Sequence, residues 1–123
     1  MNIEKYSKLA WAETIHLQPV RNHCHASIIL RDDKIVSLGL NRRKTHPLAK
    51  MYGYRNNELH SELDALIKIP KHCRDNLVLL NFRFSPKGEL RMSRPCPLCL
   101  PWCKATFVEI YYSIPDGLVQ MVL

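Results

Sequence analysis

The chain has 123 residues, enough for one domain with its own core and too few for two. Its hydrophobic and charged fractions are those of a soluble globular protein, and no apolar run reaches the length that spans a bilayer. The formal net charge of +7 favours anionic ligands such as nucleotide phosphates or a nucleic-acid backbone, and carries no information on fold.

From about Asn2 to His16, the apolar residues Ile3, Tyr6, Leu9, Ala10 and Ile15 recur at spacings near three and four. That pattern predicts an amphipathic helix with one face on a sheet, ended by Pro19 and a turn through Asn22. His25 to Arg31 is β-branched and apolar in its centre, and Asp32-Asp33 separates it from a second strand, Lys34 to Leu38. This is a hairpin whose turn lacks a glycine. After Gly39-Leu40-Asn41, a polar and basic loop runs from Arg42 to Asn57, a length typical of functional or mobile loops. Asn56 or Asn57 caps a helix reaching about Ile69, with Leu59, Leu63, Leu66 and Ile67 on one face and Pro70 stopping it. His60 and Glu62 then fall in its first turn, where the helix dipole favours Glu62 as an anion and opposes protonation of His60.

Leu77 to Phe84 reads as a central strand, because Leu-Val-Leu-Leu is apolar on both faces. Ser85-Pro86-Lys87-Gly88 is a turn. Pro97 opens a second helix towards Thr106, which places Cys96 and Cys99 at its positive end and stabilises them as thiolates. Phe107 to Tyr112 is the next strand, and Pro115-Asp116-Gly117 turns the chain into a last one, Leu118 to Leu123. Those two are antiparallel, since the connection is too short for a crossover. The order of elements predicts a three-layer α-β-α sandwich around a mixed sheet, in a single domain over residues 1–123.

Five cysteines is an odd number, and the amino-terminal residues carry Glu4, Lys5 and Lys8 where a secretion leader would be continuously apolar. Cys96-x-x-Cys99 in such a chain reads as metal-binding or redox, and a reducing, cytoplasmic setting is expected. His60, Cys96 and Cys99 supply three corners of a zinc tetrahedron and leave the fourth for water, as in catalytic sites. Glu62 is then a carboxylate that the metal does not need and that can move protons. The plain alternatives are a small structural zinc site or a redox pair, with Glu62 an ordinary residue at a helix start.

His-x-Glu followed by Pro-Cys-x-x-Cys is the signature of zinc deaminases that act on bases. At His60-Ser61-Glu62 and Pro95-Cys96-Pro97-Leu98-Cys99, the chain resembles the cytidine deaminase superfamily, nearest to the deoxycytidylate deaminase and tRNA adenosine deaminase branch. The resemblance covers most of the chain and implies a mixed five-stranded sheet with two zinc-bearing helices against it. It implies Zn²⁺ held by His60, Cys96 and Cys99, with Glu62 as the catalytic proton shuttle between the activated water and the substrate. Members of that branch continue with a helix after the fourth strand, for which this chain has little room.

Three substrate-binding residues follow from the same resemblance. Asn41 in Gly39-Leu40-Asn41 matches the family's Gly-x-Asn, whose asparagine contacts the substrate sugar; a turn residue after a strand is the plain alternative. Ser61 stands where the family commonly has alanine, whose backbone N–H faces the pyrimidine carbonyl. His25 aligns with a residue lining the base pocket, against the competing reading of a rim histidine satisfied locally. Asp64 reads as structural. His23, Cys24 and His25 do not make a second metal site, because strand neighbours point to opposite faces. Cys103, seven positions after Cys96, raises an iron–sulfur alternative, but it and Cys73 read as small buried hydrophobes. Arg42, Arg43, Lys44, Lys50, Arg55, Arg91 and Arg94 flank both half-motifs and suit a 5′-phosphate or a strand backbone, or simply a solvated surface.

The sequence therefore predicts a zinc-dependent hydrolytic deaminase of a cytosine nucleoside or nucleotide, with a deoxycytidylate-like monophosphate first, releasing ammonia and the uracil product. A polynucleotide base deaminase, acting on cytosine in single-stranded DNA or adenosine in RNA, is the second reading, with Tyr52, Tyr54 and Trp102 as stacking platforms. A non-catalytic, zinc-stabilised nucleic-acid-binding module is the third, and Glu62 argues against it. Association into a homo-oligomer, without any membrane partner, is expected from the relatives.

Overall fold

The computed structural model describes residues 2–17, 24–42, 47–51, 53 and 59–123. The expected turn at 19–22, the cap at Asn56 or Asn57, and His23, Arg43, Lys44, Tyr52, Tyr54 and Arg55 lie outside them. Helix α1 (Ile3–Leu17) forms where its periodicity predicts and turns Tyr6, Ala10 and part of Leu9 inward, whereas Ile3 and Ile15, expected on the same face, are exposed near its two ends. Strands β1 (Cys24–Arg31) and β2 (Lys34–Leu40) follow as the expected hairpin. Its two turn residues, Asp32 and Asp33, have φ of 50° and 62°. A two-residue hairpin turn needs left-handed backbone at both positions to match strand twist, and aspartate is among the few residues besides glycine that adopt it.

The basic loop contains a short helix, α2 (Pro47–Met51), which polarity alone did not announce. Helix α3 (Ser61–Ile67) begins later than predicted, with His60 as its N-cap in extended backbone. Leu59, assigned to the helix from its apolar character, instead exchanges two backbone hydrogen bonds with Arg42. A single helical turn at 71–73 leads to β3 (Val78–Phe84), then β4 (Leu90–Arg91), α4 (Leu100–Thr106), β5 (Glu109–Ile114) and β6 (Gly117–Gln120). Pro101, not Pro97, occupies the start of α4; Pro97 lies in the turn before it. Phe107, predicted to open a strand, caps the end of α4 through its N–H to the Cys103 carbonyl and buries its ring in the core.

The protein is α/β, with one mixed sheet of six strands in the order β2-β1-β3-β5-β6 and β4 paired to β3. The β3–β5 pair is parallel and all others are antiparallel, including β5–β6 across the short turn. The sixth strand, β4, escaped prediction because two residues carry no periodicity. Along β3 the neighbour changes from β5, opposite Asn81, to β4, opposite Arg83. At that junction Ser93 Oγ donates to the Asn81 carbonyl at 2.7 Å, and the Arg83 N–H donates to Ser113 Oγ at 3.1 Å. Two serine hydroxyls therefore satisfy β3 backbone groups where a ladder partner changes, as buried backbone requires.

The strand period sorts the core into two. Ala26, Ile28, Leu30, Leu80, Phe82 and Phe84 pack with Tyr6 and Ala10 of α1 on one face. Ile29, Leu79 and Ile110 pack with Leu63 and Leu66 of α3 and Trp102 and Cys103 of α4 on the other. Helices thus cover both faces of the sheet. No helix among the described residues is long and apolar enough to cross a membrane.

Candidate metal centre

The position of α3 is fixed by the end of β2. Gly39 lies so close beneath the helix that an added Cβ would stand 2.8 Å from the Ala65 Cα and closer still to the Ala65 nitrogen and Ser61 oxygen. Only glycine fits there. The next three residues each grip the first turn of α3 or its approach. The Leu40 N–H donates to Asp64 Oδ2 at 3.0 Å, Asn41 Oδ1 accepts from the Ser61 N–H at 2.7 Å, and Arg42 Nε donates to Asp64 Oδ2 at 3.0 Å. Lys68 Nζ lies 3.3 Å from the same carboxylate oxygen. Asp64 is fully buried, so its structural reading acquires a mechanism: it ties α3 to β2 and to two cations.

On the other side, the 97–99 turn folds back so that the Cys96 carbonyl accepts from the N–H groups of Cys99 at 3.0 Å and Leu100 at 2.9 Å. Cys96 and Cys99 are thereby turned towards the start of α3. His60 Nδ1 lies 3.6 Å from Cys96 Sγ and 3.4 Å from Cys99 Sγ. His60 and Cys96 are half-buried and Cys99 is fully buried. The three side chains form a group whose ligand atoms all lie within 4.8 Å of one another, close enough to hold a metal ion. The Cys99 thiol, acting against burial and helped by His60, holds the Cys96 thiol down to about 4, so Cys96 is a thiolate and a competent ligand.

Glu62 is 5% exposed and is not one of these three. Burial holds its carboxyl above the ordinary carboxylate range, opposed by its own backbone N–H, the His60 imidazole and the Ser61 hydroxyl. Ser61 Oγ donates to Glu62 Oε1 at 3.0 Å and lies 2.8 Å from Ser27 Oγ. The structure therefore brings His60, Cys96, Cys99, Glu62, Ser61 and Asn41 into one region, and joins Asn41 and Ser61 directly to each other.

His25 is half-buried on β1, one register step outward from Ser27 on the same face. Its cross-strand partner is Arg83, whose partner in turn is Arg91. An imidazole and two guanidinium groups are thus register neighbours on the face that carries Ser27 and Asn81; Arg91 also lies 3.9 Å from the Glu89 carboxylate, and Arg83 Nη1 donates to the Met92 carbonyl at 3.4 Å. Cys103 is fully buried one helical turn past Cys99 and outside the ligand group; burial, with Glu62 and Cys96 adding to it, keeps its thiol neutral. Cys73 packs partly against the core.

Sequence reasoning passed over Gly39 as a packing residue and missed Ser27, Asn81 and Arg83. The signal was present in Ala26-Ser27-Ile28 and Leu80-Asn81-Phe82, where a polar residue interrupts an apolar strand at a position that must face inward. The region is a candidate transition-metal centre of one imidazole and two thiolates beside a buried carboxylate. No protein-family model and no curated protein matches the chain.

Proposed function

We propose that the chain is a zinc-dependent hydrolytic deaminase of a cytosine nucleoside or nucleotide, on the fold of the cytidine deaminases. The donor set fits zinc. Tetrahedral bonds of about 2.3 Å to sulfur and 2.0–2.1 Å to nitrogen would separate the N and S ligand atoms by about 3.5 Å, and the two separations here are 3.6 and 3.4 Å. When bound, zinc supplies a Lewis acid that brings the ionisation of water close to neutrality.

The observation that carries the reading is Glu62, a buried carboxyl beside the ligands and not among them. A structural site has no use for it, and burying a carboxyl costs free energy. Hydrolysis of the exocyclic amine requires one proton delivered to the ring nitrogen and a second to the departing ammonia. In this reading Glu62 takes and returns both at its carboxyl oxygens; its burial beside His60 and Cys96 supports that role. Asp64, the other buried carboxyl of α3, is turned towards Leu40, Arg42 and Lys68 and serves the scaffold. The His25, Arg83 and Arg91 row, with the net positive charge, favours a substrate bearing phosphate, and a deoxycytidylate-like monophosphate leads.

The test is ammonia release by zinc-loaded protein from deoxycytidylate, cytidine and a cytosine-containing single strand, beside Glu62→Gln. Turnover of the monophosphate, abolished in the variant while zinc stays bound, is the expected result. Turnover of the strand alone replaces the substrate with polynucleotide. Undiminished activity in Glu62→Gln refutes the mechanism, and silence on all three substrates with zinc bound refutes cytosine deamination.

A further inference from the structure

The change of neighbour along β3 accounts for Ser93 and Ser113, but not for Ser27, Ser61 or the side chain of Asn81. These three are 2% exposed or less, on a face where the next step inward is the apolar pair Ile29 and Leu79. Apolar residues would pack there without needing hydrogen-bond partners. Instead the polar atoms form a continuous run. Ser27 Oγ donates to Asn81 Oδ1 at 2.6 Å, and Ser61 Oγ, with one proton to give, lies 2.8 Å from Ser27 Oγ and 3.0 Å from Glu62 Oε1. In the other direction Asn81 Nδ2 donates to the Ser93 carbonyl at 2.6 Å.

The two ends of this run are the two segments that carry the candidate ligands. Ser61 directly follows His60, and Ser93 lies three residues before Cys96. His60 and Cys96 are 36 residues apart in the chain, yet a metal site tolerates ligand distances off by only about 0.2 Å. Some rigid element must gauge their separation. A planar amide does so well, because it presents an acceptor on one side and a donor on the other at a fixed span, which neither aspartate nor a hydroxyl can do.

We infer that Asn81, acting with Ser27, is a positioning residue that sets the separation of the His60 and Cys96 segments across β3 and orients the Glu62 carboxyl. The inference rests on the metal reading of His60, Cys96 and Cys99, and goes beyond it by assigning the supporting shell. Replacing outer hydrogen-bonding partners of a metal site typically costs about 10- to 100-fold in metal affinity.

The experiment uses cobalt(II) alone as the probe, since its visible absorption reports ligand type and geometry without any need for turnover. Affinity is read by chelator competition, and folding by urea denaturation. Asn81→Asp, which keeps the shape and loses the donor, and Ser27→Ala, which loses one hydroxyl, each weaken cobalt binding by about 10- to 100-fold and alter the spectrum. Leu80→Ala is the control: Leu80 neighbours Asn81 but faces α1, so this variant loses stability and binds cobalt as the unmodified protein does. If Asn81→Asp does not fold, Ser27→Ala carries the test. Unchanged affinity and spectrum in the variants that fold, or an equal loss in Leu80→Ala, overturns the inference alone. Failure of the unmodified protein to bind cobalt overturns the metal reading and the inference with it.

Discussion

Replacing Gly39 by alanine tests how the site is held, because it adds one methyl at the point where β2 and α3 touch. The new carbon would stand 2.8 Å from the Ala65 Cα, against an optimum of about 3.5–4.0 Å between carbons, and still closer to two other backbone atoms. Backbone cannot swing aside as a long side chain can. The first turn of α3 must therefore retreat by about 1 Å, which the contacts at 2.7 Å (Asn41 to Ser61), 2.8 Å (Ser27 to Ser61) and 3.0 Å (Leu40 to Asp64) cannot follow. Overpacking of this kind costs about 3 kcal/mol, with the loosened hydrogen bonds adding to it. At a slope of about 1–3 kcal/mol per molar urea, the unfolding midpoint falls by about 1–3 M. The same shift carries His60 away from the thiols, so metal affinity falls with stability. Gly117→Ala provides the contrast: its Cβ meets nothing within 4 Å, and φ there is 142°, so it strains the backbone far from the site. That variant loses about 1 kcal/mol and keeps its metal affinity. A Gly39→Ala protein with a midpoint and metal affinity like those of the unmodified chain would refute the close-packing argument.

Three other outcomes are expected. In metal-free protein Glu62→Gln raises stability at neutral pH by about 1 kcal/mol, as relief of a destabilised functional group commonly does. The sign follows from burial: a carboxyl whose folded pKa is raised gives up stability as pH climbs from the ordinary value of 4.5 through the folded one, so the advantage of glutamine closes as pH falls towards 4.5. Urea titrations at several pH values measure it, and an equal difference at every pH contradicts it. Iodoacetamide at pH 6 labels Cys96 first in metal-free protein, since its thiol lies near 4, while burial raises those of Cys24 and Cys103; bound metal protects it. Peptide mapping showing equal labelling of all three speaks against the thiolate. Asp64→Asn keeps its shape but removes the charge facing Arg42 and Lys68, and lowers stability by about 2 kcal/mol in urea unfolding; a loss under 0.5 kcal/mol means the buried carboxylate is not what ties α3 to β2.

Much of the fold was legible because period and punctuation carry it. Ile3 to Ile15 reads as a helix, Leu77 to Phe84 as a central strand, and Pro115-Asp116-Gly117 as a turn too short for a crossover, all from side-chain spacing. The starts of α3 and α4 were placed too early because helix caps are decided by tertiary contacts. Leu59 is apolar like a helical residue yet bridges to Arg42, and Cys96 to Cys99 form a turn whose purpose is to aim two sulfurs. The ligand trio stood out because its spacing is chemically demanding. Asn41 was visible as a motif residue, but its hold on the Ser61 N–H depends on β2 lying beside α3. Ser27 and Asn81 were visible only as polar interruptions of apolar strands: they are 54 residues apart, and their partnership exists only when β1 and β3 pair in register.

That long-range register has a kinetic side. The ligand segments meet across a strand pairing that closes a large loop, and such pairings form slowly. Until β1 has found β3, an ion has no complete set of donors to hold. The binding energy of such an ion would then fall on the native side of the folding barrier, where it would lengthen the lifetime of the folded state and leave the rate of reaching it nearly unchanged. An ion held there would act as a latch on a finished structure, and its removal would show first as faster opening.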